Sequence, residues 1–253
     1  MNPARGKHIS AYGLECAHVS AGVIDVLSPG SGQDSKPLAW QMRRSGRRMA
    51  AVERRSATPM VTGDKAQGDD MDTYRGMDRA ALDRAYNNIA AVSDVRETMA
   101  DFARRSDTVY ERVGIKRDLA YGPGASQRID WIPGPSVGAP TLAFIHGGYW
   151  QSLAKEKFAH IAAGPLAHGF NVALIEYTLA PEARIGAIVD EIGRAIDFLA
   201  AHFADWGADP ARFCLAGHSA GGHLAAWHRG HPAVSLVLGI SGLYDLEPIR
   251  SVI

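Results

Sequence analysis

From residue 141 to residue 240, short apolar runs alternate with stretches of helical period, and few folds admit that pattern. Strand-like runs fall at 141–145, 171–177, 212–216 and 234–240, with helical segments near 157–167, 185–203 and 220–228 between them. Each return through a helix is a crossover, so the expected architecture is α/β, with a mostly parallel sheet covered by helices on both faces. The 185–203 segment shows its buried side most plainly. Ile188, Ile192, Ala195, Ile196, Leu199 and Phe203 share one face, while Asp190, Glu191, Arg194 and Asp197 fall elsewhere. Gly207 and Pro210 stop it.

Upstream, Leu82, Tyr86, Ile89, Val92, Val95, Met99 and Phe102 recur at spacings of three and four, which predicts one helix over 78–105. Two strand-like runs, 114–119 and 127–132, follow around the turn signal Tyr121-Gly122-Pro123-Gly124 and read as a leading hairpin. Residues 1–70 differ in character. They carry ten Lys/Arg against seven Asp/Glu, whereas 71–253 carries 17 against 20. The 28–37 stretch is a Gly/Ser/Pro loop, and Arg43, Arg44, Arg47, Arg48, Arg54 and Arg55 cluster without an apolar period. This leader is expected to be poorly ordered, with the folded domain over 71–253. The arginines read as a targeting or nucleic-acid patch, or more simply as a solvated tail or an over-extended start ahead of Met71.

Bulk properties exclude several classes of function. With 27 Lys/Arg against 27 Asp/Glu, no net field favours nucleic acid or a polyanionic substrate. The apolar stretch 9–27 is interrupted by Glu15, His18 and Asp25, so it is neither a signal peptide nor a membrane span. Cys16 and Cys214 stand alone in unlike contexts, which points to a reducing cytoplasmic setting, with Cys214 packed in the core. No metal and no cofactor is expected, and a homodimer stays open.

Chemistry is concentrated in two motifs. Gly217-His218-Ser219-Ala220-Gly221 matches G-x-S-x-G and lies between a predicted strand and a predicted helix, the context this motif requires. A serine on such a bend is pushed out at the carboxyl edge of the sheet, and Ser219 is the candidate nucleophile. His146-Gly147-Gly148-Tyr149-Trp150 directly follows the 141–145 strand. Glycines can turn backbone N–H groups toward the oxygen on which charge develops, so Gly147, Gly148 and Ala220 are the candidate oxyanion hole. His146 precedes the nucleophile in the chain and is read as a loop-fixing residue rather than the general base. His218 is read equally as a packed lining residue or a substrate contact. Tyr149 and Trp150 either border a substrate pocket or pack the loop. His223, His228 and His231 are read as packing or surface residues, without the spacing of a zinc site.

These residues resemble the hormone-sensitive-lipase-like, HGG-bearing group of α/β-hydrolases. The finer resemblance is to its kynurenine formamidase (arylformamidase) branch. It is carried by Leu82 to Asn88 (LDRAYNN), His146 to Trp150, Tyr177 to Glu182 (YTLAPE), the extended elbow from Gly217, and Ser241 to Pro248 (SGLYDLEP), over about residues 71–248. It implies a small-molecule ester or aryl formamide substrate, N-formylkynurenine or a relative. Ser219 would be acylated and Gly147, Gly148 and Ala220 would donate to the oxyanion. The family takes its triad acid and histidine from later loops, and its SGLYDLEP aspartate, here Asp245, is not the acid. On that pattern the fold lacks its last strands and helices, the triad is incomplete, and the chain reads as a fragment. Loss of a base is expected to cost about a millionfold in turnover, with the oxyanion hole retaining about a thousandfold over water. The 234–240 strand would become an apolar edge prone to association. A general carboxylesterase and a non-catalytic hydrolase-fold binding protein are the competing readings.

Overall fold

Apolar runs bounded by glycine and proline become strands, and the amphipathic segments between them become the helices that cover the sheet. The computed structural model describes residues 24–27 and 74–250; Cys16, the 28–37 loop and the arginines of the leader lie outside the described residues. The strands are β1 (Ile24–Leu27), β2 (Lys116–Ala120), β3 (Arg128–Ile132), β4 (Ala139–Ile145), β5 (Asn171–Ile175), β6 (Ala208–His218) and β7 (Leu236–Ile240). They form one sheet in the order β1-β7-β6-β4-β5-β3-β2. Its interior, β5-β4-β6-β7, is parallel throughout. The hairpin strands β2 and β3 and the outer strand β1 join it antiparallel, so the parallel pairing expected from the alternation holds in the middle of the sheet and not at its margins.

The helices are α1 (Arg79–Tyr86), α2 (Val95–Tyr110), α3 (Ala163–Ala167), α4 (Ile185–His202), α5 (Ala220–Trp227) and α6 (Glu247–Arg250). Alternate residues of one strand feed opposite layers. Ala143 and Ile145 join Ile188, Ile192, Leu199 and Leu224 under α4 and α5, whereas Phe144 joins Val109, Ala159 and Leu166 under α2 and α3. Both faces are therefore covered. Cys214 is a buried free thiol, and burial pushes it up to about 11.

Three expectations change. The single helix over 78–105 is two, because Asn87 ends α1 and its Oδ1 accepts from Ala90 N (3.1 Å), a local bond that competes with helical continuation. The helix near 157–167 begins as a 3-10 segment, Lys155–Ala162, and only its last turn is α. The β7 strand is not an edge: Ile24 to Leu27 of the leader pair with it, Ile24 opposite Ile240.

Candidate active site

Parallel pairing sets the site. Ile145, the last residue of β4, lies opposite Gly217 of β6, so the two motif-bearing loops leave the same edge of the sheet side by side. Ser219 follows β6 with φ 54° and ψ −116°, far from the backbone basins that serine prefers, and its side chain makes no capping bond to α5. Backbone bonds hold the bend: Ser219 N donates to Ile240 O (2.9 Å), and Leu243 N and His223 N donate to Ser219 O (3.3 and 3.2 Å). The glycines explain how so sharp a turn packs. A Cβ at Gly221 would stand 2.1 Å from Ile145 O, and one at Gly217 would stand 2.1 Å from Gly221 O.

The glycine loop meets this bend directly. A Cβ at Gly147 would lie 3.1 Å from Ser219 Cβ and 2.9 Å from His218 O, so only a bare backbone fits against the serine there. Gly148 has φ +111°, and Tyr149 and Trp150 follow at φ 52° and 59°, two side-chain-bearing residues in the left-handed region. Ala220, the third predicted donor, is the buried first residue of α5. The structure thus brings Ser219, Gly147 and Ala220 together, with Gly148 next along the loop. A serine at a strained bend beside a bare glycine backbone has the residue types that attack on a carbonyl carbon requires.

The other predicted residues divide. Tyr149 and Trp150 line a cavity of about 600 Å³, shared with Ala180, Ile185, Leu246 and Ile249, whose lining includes neither Ser219 nor His218. Tyr149 also donates through its hydroxyl to Tyr86 O (3.0 Å), which ties the loop to the end of α1. His218 instead points back to the glycine loop. Its Nδ1 would lie 3.1 Å from a Cβ on Gly147, the atom is enclosed with no partner, and burial lowers its affinity for a proton. His223 packs edge-on to Trp150, while His228 bonds Val189 O and His231 pairs with Asp197. Asp245 is exposed and accepts from the Tyr74 hydroxyl.

His146 is wholly buried and stacks on Tyr177, with ring centroids 4.5 Å apart. Its Nε2 donates to Glu176 Oε1 (2.9 Å), the hydrogen being assigned from the carboxylate partner, and its Nδ1 lies 2.7 Å from Gly147 O. The reading of His146 as a loop-fixing residue matches these contacts. Glu176 escaped the sequence reading. Its one visible signal is an acidic residue closing a strand whose five residues are all buried. Just beyond the loop, the Lys155 side chain is buried against Asp130 (3.1 Å) and Asp118 (2.8 Å) and also pairs with Glu156. Burial alone would lower its ammonium, but the bonds to Asp118 and Glu156 and the charge of Asp130 hold it well above the ordinary lysine value.

Known proteins resemble this chain in sequence and fold. A family model described as BD-FAE matches residues 133–231, which include both motifs. A crystal structure from Silicibacter sp., whose thioesterase assignment is provisional, is 30% identical with a TM-score of 0.59, and the match covers 68% of this chain and 67% of that one. The chain belongs to the α/β-hydrolase superfamily. Among curated proteins, this α/β-hydrolase is 32% identical to the kynurenine formamidase of Salmo salar over 145 residues, which cover 53% of this chain and 48% of that protein. It is also 35% identical to a rice (Oryza sativa subsp. japonica) protein named as a probable isoprenylcysteine alpha-carbonyl methylesterase, over 47% of this chain and 29% of that one. The α/β-hydrolase spans about half the length of the kynurenine formamidases it matches. Among the described residues no helix is long and apolar enough to cross a membrane.

Proposed function

We propose that this α/β-hydrolase cleaves a small carboxylic ester or an aryl formamide through an acyl-enzyme on Ser219. The observation that carries the reading is the packing of Gly147 against Ser219 at the strained bend. In the first step the Ser219 oxygen bonds to the substrate carbonyl carbon. The bond to the leaving alcohol or amine then breaks, and the serine proton ends on that leaving group. Water next bonds to the acyl carbon, the bond from that carbon to the Ser219 oxygen breaks, and a water proton returns to that oxygen as the acid leaves. In both steps the carbonyl oxygen becomes negative, and the amides of Gly147, Gly148 and Ala220 are the assigned donors, each worth about a hundredfold or more in rate. Likeness to kynurenine formamidase favours an aryl formamide such as N-formylkynurenine. Likeness to the methylesterases favours a second reading, a carboxylesterase acting on a methyl ester. No imidazole hydrogen-bonds the Ser219 hydroxyl among the described residues, so acylation by this chain is expected to be slow.

The test is covalent labelling with a fluorophosphonate, followed by mass mapping, beside turnover of an aryl formamide and of a short p-nitrophenyl ester. Label on Ser219 that disappears in Ser219→Ala supports a serine hydrolase, and the ratio of the two turnovers separates formamidase from esterase. A folded chain that takes label elsewhere, or none after prolonged exposure, would count against the enzyme and for a binding protein.

A further inference from the structure

The loop from His146 to Ala154 holds two consecutive non-glycine residues in the left-handed region, and a third, Leu153, lies at φ 74°. Such residues are strained, so a loop of this kind keeps one shape only where its surroundings fix it. The groups that fix it converge on one side chain. Glu176, at the end of β5, accepts through Oε1 from His146 Nε2 (2.9 Å) and through Oε2 from the backbone N–H of Lys155 (2.9 Å). One carboxylate therefore holds both ends of the loop. Its own position is fixed: Glu176 N donates to Arg128 O (2.9 Å), and Glu176 O accepts from the Tyr121 hydroxyl (2.7 Å). Tyr177 adds a second hold, stacking on the His146 ring and donating through its hydroxyl to His146 O (3.2 Å). Midway, Ala180 N donates to Trp150 O (2.7 Å). The Lys155 ammonium does not compete for the carboxylate, because it is turned to Asp118, Asp130 and Glu156.

We propose that Glu176 is the positioning residue of the glycine loop, setting the Gly147 and Gly148 amides against Ser219 by closing the loop at its two ends. The proposal rests on the serine-hydrolase reading for its consequence in rate, but not for its consequence in loop order. A carboxylate suits the task because its two oxygens reach the two ends of the loop at once, with Oε1 also accepting from Tyr177 N (3.1 Å). Glutamine offers one oxygen and sets an NH2 group against the other donor, and alanine offers neither.

The experiment compares the full chain with Glu176→Gln and Glu176→Ala by hydrogen exchange, followed by mass spectrometry of peptides spanning 146–155, with β4 and β6 peptides as internal reference. Exchange in the loop should quicken by about tenfold in the glutamine variant and further in the alanine variant, with the reference peptides unchanged. Phosphonylation of Ser219 supplies the second readout. Its maximal rate should fall by about tenfold or more while the half-saturating probe concentration stays constant, as expected when transition-state donors are displaced and binding is not. Unchanged loop exchange, or exchange that quickens equally in loop and reference peptides, would overturn the proposal. If the unsubstituted chain takes no label at Ser219, the hydrolase reading falls, and loop exchange alone decides for or against the clamp.

Discussion

Ser219 occupies a backbone conformation that serine avoids, and glycine is the residue that tolerates it. The bend therefore stores strain. Replacing Ser219 with glycine releases an amount on the order of 1–3 kcal/mol, partly offset by the greater freedom of glycine in the unfolded chain. Ser219→Gly is expected to be more stable than the parent by about 1 kcal/mol, while losing all fluorophosphonate label. Equilibrium unfolding in urea checks this, and a less stable variant would mean that the serine side chain is held by contacts rather than under strain. At this scale the sequence was most legible where glycine spacing encodes a close backbone approach. Gly217, Gly221 and Gly147 all turn out to be positions where a Cβ would collide, and they are motif positions. Glu176 was not legible, because a lone acidic residue has no spacing; its role arises from His146 and Lys155, which reach it from another strand's loop.

Elements differ in how closely they are packed, and glycines report it. Gly221 sits where α5 crosses the end of β4, and a methyl group there would drive the helix off the strand. Gly221→Ala is expected to cost about 3 kcal/mol or more and to displace the bend with it. Gly186, in the first turn of α4, faces open space, and Gly186→Ala should gain about 0.5 kcal/mol from helix propensity alone. Thermal unfolding of the two variants side by side tests the contrast; similar midpoints would contradict it. Periodicity identified the strands β4 to β7 and the helices α4 and α5 because their burial is regular, but not the 3-10 start of the 155–167 segment nor the short α6. It missed the break between α1 and α2, since Ile89 and Val92 keep the apolar rhythm through a stretch whose backbone is turned by Asn87, and Ile89 ends up 71% exposed. It also missed β1, whose partner lies at the far end of the sequence, beyond the reach of any local pattern.

For the molecule as a whole, burial acts on several imidazoles in one direction. His160, His218, His223 and His228 are all lowered from the ordinary value of 6.5, chiefly by loss of solvent. Below that value the unfolded chain takes up protons that the folded chain still resists, so folding stability falls as pH drops. Further loss follows at lower pH, as the hydrogen-bonded carboxylates Asp118, Glu156 and Asp209 are protonated. The denaturant midpoint should decline between about pH 7 and pH 5, and a flat or rising profile would show these rings to be accessible to solvent. The sheet itself answers to a different constraint. Because Ile145 and Gly217 share a rung of the ladder, the glycine turn and the serine bend leave the sheet one strand spacing apart, about 4.8 Å, a constant of peptide hydrogen bonding. The starting points of the two loops are therefore set by the backbone ladder, and only the path each loop takes beyond it is left to side chains such as Glu176.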